Sequence, residues 1–402
     1  MGNTEKFSQD AVLRARVLLL GSEEPSLRER LDAYRVLAEV SPRAYLPKLV
    51  DALIERARDF ADPEILRALY GEAADAARRF DAEVPHGEER LRRALGGYEH
   101  WLLATGRRAE GRAVCEELAE AGQWRRLAVV LAEEGRHGEA AELYGRHVAA
   151  READDASRWT RIEWAAELDA AGQHEEALGV FARLVDDHRR KAMEDRSPLA
   201  SLVWKLERYA GMLLTAGRRT EEAAARHEAL ALLARLARDG EPVSWSNIQA
   251  WWVTLLALSG RPAEPVATPD APLPTFGVHP VHGWSPDMRE ECFASIPALE
   301  RQTDALRESG DLPGLIAAQR RLTVRRALRW ETSGRRGEES LRPSFDEGVA
   351  LARRPTAGPG ALARALTDRS MFLLAVKRYG EAHADFAEVL ALPSSPPIVT
   401  RT

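Results

Sequence analysis

The chain has 402 residues, 45% hydrophobic and 30% charged, so it is long enough for several domains or one long repeat array. A formal net charge of −6 argues against a protein that coats DNA, and nucleic acid is not the expected partner. Two cysteines, Cys115 and Cys292, are too few for a disulfide framework or a closed zinc site, which fits a reducing cytoplasm. No apolar run approaches the length of a membrane span, so no membrane partner is expected.

Residues 1–95 contain three or four predicted helices that cap or extend the elements after them. Four predicted helix starts along the chain have Ser or Asp directly before Pro: Ser41-Pro42, Asp62-Pro63, Ser197-Pro198 and Ser285-Pro286. No run of alternating β-branched residues is long enough to predict a strand. The predicted fold class is therefore all-α.

A short pattern recurs through the rest of the chain. Its best copies are EEGRHGEAAELY at 133–144, AAGQHEEALGVF at 170–181 and AVKRYGEAHADF at 375–386. Gly172 is suited to the left-handed conformation that ends a helix, and in the last copy Lys377 takes that place. Ala177 and Phe181 are four residues apart, so they share one face of the next helix. Weaker copies lie at 104–115, 119–124, 215–230, 258–265 and 308–319.

This pattern resembles the tetratricopeptide repeat over residues 95–392. The resemblance implies a right-handed superhelical solenoid of antiparallel helix pairs. The predicted parts are a helical cap (1–95), repeats (96–260), a Pro-rich connecting loop (261–286) and C-terminal repeats (287–402). Several spacings between turn glycines exceed the 34 residues typical of the family, which indicates longer helices or connections. The alternative is a non-repeating helical bundle.

The resemblance also indicates which residues face the concave groove. Trp159 and Trp204 each lie thirteen residues before a turn glycine, a position that faces the groove in this family. Trp164 and Trp252 lie eight residues before theirs, a position inside the repeat. The predicted partner-binding residues are Trp159, Ile162, Asp169, Trp204, Glu207, Asn247 and Thr254. The alternative for Trp159 and Trp204 is burial against a neighbouring hairpin.

Residues 261–286 interrupt the helical pattern. Seven prolines fall in this stretch, so it cannot be helical throughout. Long ordered loops inside a domain are often functional. Two interpretations remain open: a linker between two sub-arrays, or an arm that packs into or beside the groove.

A stripe of arginines follows in the C-terminal part. Arg321, Arg325 and Arg329 recur every four residues and form a basic patch on one face of a predicted helix. The patch could bind a phosphate-bearing ligand, nucleic acid or an acidic partner. The alternative is a solvated helix face whose arginines pair with Glu300, Glu308 or Glu331.

The sequence contains no strong catalytic or cofactor-binding signature. No catalytic residues, cofactor or metal ligands are therefore assigned. The best metal candidate is His279 and His282 in a loop, with Asp287 and Cys292 nearby, and the alternative is that these histidines pack against Trp284.

The resemblance favours a cytoplasmic scaffold or adaptor that binds a peptide or partner protein in its groove. One alternative is a bacterial regulator that senses a ligand or peptide. Another is an enzyme or enzyme subunit with a site near the Pro-rich loop.

Overall fold

The computed structural model describes residues 8–392 except 23, 82, 151–156, 195–196, 244–247, 281–282 and 333–337. In this part of the chain the regular structure is helical, and the only β-type pairings are two isolated bridges, Thr268 with Ala271 and Phe276 with Val278. The all-α prediction is confirmed. Packing divides the chain into two compact units. Unit 1 runs to Val130 and includes Ser285–Asp287, and unit 2 holds Leu131–Trp284 and the residues from Met288 onward.

Unit 1 is a row of helices, the first six of which pack each against the next. They are α1 (Gln9–Leu20), α2 (Leu27–Val40), α3 (Pro42–Ala57), α4 (Pro63–Arg78), α5 (Gly87–Ala104) and α6 (Arg108–Glu120), followed by α7 (Trp124–Glu133), which continues into unit 2. The predicted starts at Pro42 and Pro63 are observed, and Asp62 caps α4 by accepting a hydrogen bond from the Glu64 amide at 2.8 Å. The division predicted after residue 95 falls inside α5.

Unit 2 contains two runs of consecutive helices separated by the Pro-rich segment. Its helices are α8 (His137–Ala150), α9 (Ser157–Ala170), α10 (His174–Met193), α11 (Leu199–Thr215), α12 (Arg219–Asp239), α13 (Ile248–Gly260), α14 (Pro286–Ala294, whose first two residues belong to unit 1), α15 (Ile296–Ser309), α16 (Leu312–Thr332), α17 (Glu338–Ala352), α18 (Pro359–Ala375) and α19 (Tyr379–Ala391). Helices α8–α12 pack in sequence, as do α15–α19, and α12 also packs against α19. The helices before and after the Pro-rich segment therefore form one compact unit rather than two linked sub-arrays.

Six helical turns share one hydrogen-bond geometry. In each, a residue in the left-handed region is followed by one whose N–H donates to a leucine carbonyl five residues earlier. The six left-handed residues are Gly106, Gly122, Gly135, Gly172, Gly217 and Lys377. Lys377 has a φ of 64°, so this side chain occupies the glycine position that the repeat alignment assigned to it. The weaker copy at 258–265 predicts the same turn at Gly260, and this is wrong, because φ there is −84° and the chain continues into a 3₁₀ turn, Arg261–Ala263.

The small and aromatic residues of the repeat pattern are buried where predicted. In the copy at 170–181, Ala177 and Phe181 are 0% and 1% exposed. The equivalent residues of the other two best copies, Ala140 with Tyr144 and Ala382 with Phe386, are all 0% exposed. These pairs let adjacent helices approach closely while the ring fills the space beside the small residue.

Helix α13 lies among the other helices of unit 2 and packs against α11, α16 and α18. Every residue from Trp251 to Leu258 is buried, which is the pattern of a helix enclosed on all sides. The Trp252 ring lies 5.6 Å from that of Phe372 and 6.3 Å from that of Trp330, measured between centroids. None of the described helices combines the length and apolar character needed to cross a bilayer.

Candidate functional site

The Pro-rich segment is an ordered arm that packs within unit 2. We call residues 261–284 the proline arm, although 281–282 lie outside the described residues. Its tip, residues 265–271, is mostly exposed and contains a turn in which Thr268 and Ala271 exchange backbone hydrogen bonds at 3.1 Å. Its base, residues 274–280, is buried. Of the two interpretations of this segment, the packed arm is the one observed.

The base of the proline arm is anchored to α9 through a buried carboxylate. Glu167 is 0% exposed and accepts a hydrogen bond from the Thr275 hydroxyl at 3.0 Å. Its other oxygen lies 2.8 Å from Nδ1 of His137. Arg261, at the start of the arm, donates to the carbonyl of Ala166 at 2.9 Å and lies 3.8 Å from Glu167.

These neighbours decide the charge of Glu167. Burial by itself would raise the pKa of this carboxyl. The positive charge of Arg261 and the hydrogen bonds from His137 and Thr275 outweigh burial, so the pKa of Glu167 lies below its ordinary value. The arm thus contacts a carboxylate on α9 whose charged form is favoured by its neighbours.

A second set of charges links the arm to α16. Nη2 of Arg325 lies 2.7 Å from Glu264, and the two side chains are only 6% and 5% exposed. Nη2 of Arg321 lies 3.7 Å from the other oxygen of the same carboxylate. The guanidinium of Arg325 also lies over the ring of Phe276, 5.4 Å from its centroid. Further along the arm, Nε2 of His279 is 2.9 Å from Glu331.

Two glycines allow the arm to approach the helices closely. A Cβ at Gly135 would stand 2.1 Å from the carbonyl oxygen of Ala267 in the tip. A Cβ at Gly277 would stand 2.7 Å from the Cβ of Ala166 on α9. Both glycines have positive φ, so a larger residue would be strained as well as obstructed.

The predicted groove face of α9 is covered by the chain itself. The ring of Trp159 stacks on that of Trp251 of α13, with centroids 3.7 Å apart, and lies 6.2 Å from the ring of His279 in the arm. Ile162 is 0% exposed and Thr254, on α13, is 1% exposed. Asn247 lies outside the described residues.

Trp204 is placed differently from its predicted position on the groove wall. It is 3% exposed, and its indole N–H donates to the carbonyl of Met371 on α18 at 3.2 Å. Burial against another helix, the alternative left open by the sequence, is what the structure shows. The physical reason is that α18 packs against α11 in unit 2 even though the two helices are far apart in sequence.

The two predicted acidic groove residues lie near the end of α9 and in the middle of α11. Asp169 is partly exposed, accepts from Arg208 at 3.0 Å and lies 2.8 Å from His174. Glu207 is largely buried, with Arg226 as its nearest cation at 3.8 Å. Burial raises the pKa of Glu207 to about 7; Arg226 opposes the rise, whereas Asp368 and Glu222 add to it.

The arginine stripe is not one solvated face. Arg325 is buried under the proline arm, Arg321 is partly exposed, and Arg329 is exposed. Glu264 of the arm is the partner of Arg325, and none of the glutamates expected from sequence takes that role. One of those glutamates, Glu300, does pair with Arg326 at 2.8 Å.

The described residues of the candidate metal site make other contacts. His279 lies against Glu331, and Asp287 pairs with Arg108 at 2.7 Å. Burial raises the pKa of the Cys292 thiol to about 11, so the thiolate that a metal requires is disfavoured. His282 lies outside the described residues.

Unit 1 has a polar cleft of about 520 Å³. It is lined by Asp51, Ile54, Glu55, Arg58, His86, Glu89, Arg90 and Arg93. Arg90 and Arg93 both bind the carboxylate of Asp51, at 3.0 and 2.8 Å, which satisfies the central charges of the cleft. The proline arm, with buried charges beneath it, is the stronger candidate site.

Sequence reasoning did not find Glu167, Glu264, Thr275 or His137. Glu167 lies in a helix pattern that reads as amphipathic, and nothing local indicates that its face is buried. Glu264 follows Pro262 in the arm, and its contact with Arg325 joins residues 61 positions apart. The one available signal was the arm itself, a long Pro-rich segment next to an arginine stripe.

A scan against protein-family models finds no matching family, and no curated protein matches the sequence.

Proposed function

We propose that unit 2 is a protein-interaction module that holds an extended segment of a partner protein on its helices. The single observation that supports this is the way α9, α13 and α16 hold the chain's own proline arm. An extended, non-helical segment is bound there through buried ion pairs, a hydroxyl–carboxylate hydrogen bond and aromatic contacts. Peptide-binding proteins use the same kinds of contact.

The proposed architecture is the solenoid that the repeat pattern implies: antiparallel helix pairs related by a right-handed superhelical rotation, similar to tetratricopeptide repeats. Six turns of one geometry and consecutively packed helices support it. In such an array, the faces of successive first helices line a common surface. The proline arm and α13 cover part of that surface in unit 2.

The test is site-specific photo-crosslinking in the native cytoplasm, with the reactive amino acid in place of Val266. Val266 is 85% exposed on the arm tip, and Met193, 86% exposed at the end of α10, is the control position in the same unit. We expect a defined partner peptide to crosslink at position 266 but not at 193. We also expect Arg321→Glu to reduce its yield. Crosslinks that are equal at both positions, or indifferent to Arg321→Glu, would contradict the proposal.

A further inference from the structure

Arg325 is a buried cation whose hydrogen-bonding capacity is only partly used. Its side chain is 6% exposed, and Nη2 contacts Glu264. Nε and Nη1 are buried and have no hydrogen-bond partner in the described part of the chain. A guanidinium offers five N–H donors arranged to bind a carboxylate with two of them at once. The contact with Glu264 therefore leaves two nitrogens of Arg325 available to a carboxylate that binds through both of its oxygens.

Glu264 belongs to the proline arm rather than to a helix. The arm contains little regular backbone pairing to the helices; Leu273 donates to the carbonyl of Glu133 at 2.9 Å. Its tip is exposed and bears Val266 at 85% exposure. Residues 264–273 lie between the end of the 3₁₀ turn and the buried base, so this stretch, which includes Glu264 and the tip, could leave the surface of unit 2 without breaking a helix.

Removal of Glu264 would leave Arg325 buried without a counter-charge. An uncompensated buried charge is strongly unfavourable, so whatever replaces the arm must supply a carboxylate. Arg321, 3.7 Å from Glu264, adds to the positive charge around Arg325. A basic partner segment is thereby disfavoured, and an acidic one is favoured.

We propose that the proline arm is a displaceable internal occupant of the partner site, and that the partner is an extended segment whose acidic side chain replaces Glu264 on Arg325. This inference rests on the proposed function and assigns it both a partner chemistry and a form of regulation. A tethered arm competes at a high effective concentration, on the order of millimolar for a short flexible connection. The site is thus available only to a segment whose affinity equals or exceeds that of the tethered arm.

The experiment uses the full chain and a fluorescein-labelled peptide with the sequence of residues 261–279, RPAEPVATPDAPLPTFGVH. Glu264→Gln weakens the internal arm, and Asp270→Asn, on the exposed tip, is the matched control. We expect the Glu264→Gln protein to bind the peptide about tenfold or more tightly than the wild type or Asp270→Asn. A peptide with Gln in place of its own Glu should lose that gain. Equal binding by all three folded proteins would overturn the proposal.

A second variant and a measurement on the wild type cover the possibility that Glu264→Gln does not fold. Thr275→Val removes the hydroxyl that binds Glu167 and should likewise increase peptide binding. In the wild type, hydrogen exchange at Leu273 should proceed by local opening, faster than exchange in α9 and faster again with peptide added. Exchange at Leu273 that is as slow as global unfolding would show that the arm is a permanent strut, and would overturn the proposal.

The two proposals can fail separately. If a partner crosslinks at position 266 while the amide of Leu273 stays protected, the proposed function stands and displacement of the arm is wrong. If the peptide binds Glu264→Gln as expected but no cellular partner crosslinks there, the site is competent and the proposed function is wrong.

Discussion

Ionisation of the Glu207 carboxyl makes the stability of unit 2 depend on pH. Its folded pKa is about 7, against an ordinary value of 4.5, because burial, Asp368 and Glu222 disfavour the charge more than Arg226 favours it. Asp368 is itself paired with Arg320 at 2.7 Å, so that arginine is not available to Glu207. Since the folded pKa is raised, Glu207 costs stability as pH rises from about 4.5 to about 7 and the group ionises.

We therefore expect Glu207→Gln to stabilise the protein by about 2 kcal/mol at pH 8 and to have little effect at pH 4.5. Urea denaturation at the two pH values measures this. Glu308→Gln, at an exposed position on α15, is the control and should show no such pH dependence. The same stabilisation at both pH values would mean that ionisation of Glu207 is not its cause.

Trp204 provides a second test at the residue scale. We expect Trp204→Ala to lower the free energy of unfolding by about 3–5 kcal/mol, because it leaves a cavity and removes a buried hydrogen bond to Met371. Chemical denaturation followed by circular dichroism measures the change. Trp101→Ala, at a half-buried position in α5, serves for comparison and should cost less. Unchanged stability of Trp204→Ala would mean that the ring is not buried and faces the groove, as predicted from the sequence.

Single residues could be predicted where the signal is local. Ala177 and Phe181 were identified from a four-residue spacing, and that spacing alone sets which face they share. The environment of Trp204 depends on α18, some 167 residues away in the chain, and no local spacing carries that information. Long-range packing, rather than helix formation, is what the sequence left open.

At the scale of the element, Lys377 marks a helical turn whose sequence and conformation conflict. Its φ of 64° is costly for a residue with a Cβ, by about 1–2 kcal/mol, and the other five turns of this geometry use glycine. Lys377→Gly should therefore raise the melting temperature, with a net gain of about 0.5–1 kcal/mol after the greater entropy of unfolded glycine. Lys377→Ala retains the Cβ and should give no comparable gain. Equal effects of the two substitutions would point to loss of the lysine charge instead.

Only part of the structure of the proline arm could be predicted from its own sequence. The seven prolines of residues 261–286, six of them in the arm, were enough to exclude a helix. The repeat turn predicted at Gly260 was wrong, and Pro262 follows it by two residues. Whether the arm was a linker or packed depended on charges supplied by α9 and α16. The arm packs against Glu167 and Arg325, and the burial of these two residues is not visible in the sequence of their own helices.

At the scale of the whole molecule, unit 2 joins the helices that precede and follow the arm. The packing of α12 against α19, and of α13 against α11, α16 and α18, places both runs of helices in one unit. The sequence predicted the all-α class and the helix-pair pattern from periodicity. It did not predict that helices distant in sequence pack together in unit 2, because repeat periodicity describes contacts between neighbours in sequence.

The ion pair between Glu264 and Arg325 holds the arm on the helices, and a double-mutant cycle tests this contact most directly. The free energy of unfolding is measured for the wild type, Glu264→Gln, Arg325→Gln and the double variant. Each single substitution should cost about 3 kcal/mol because it leaves a buried charge unpaired. The double variant should cost less than their sum, with a coupling of about 2 kcal/mol. A parallel cycle with Arg353→Gln, an exposed arginine directly after α17 that pairs with Glu388, is the control and should show none. Strictly additive effects of Glu264→Gln and Arg325→Gln would contradict the account.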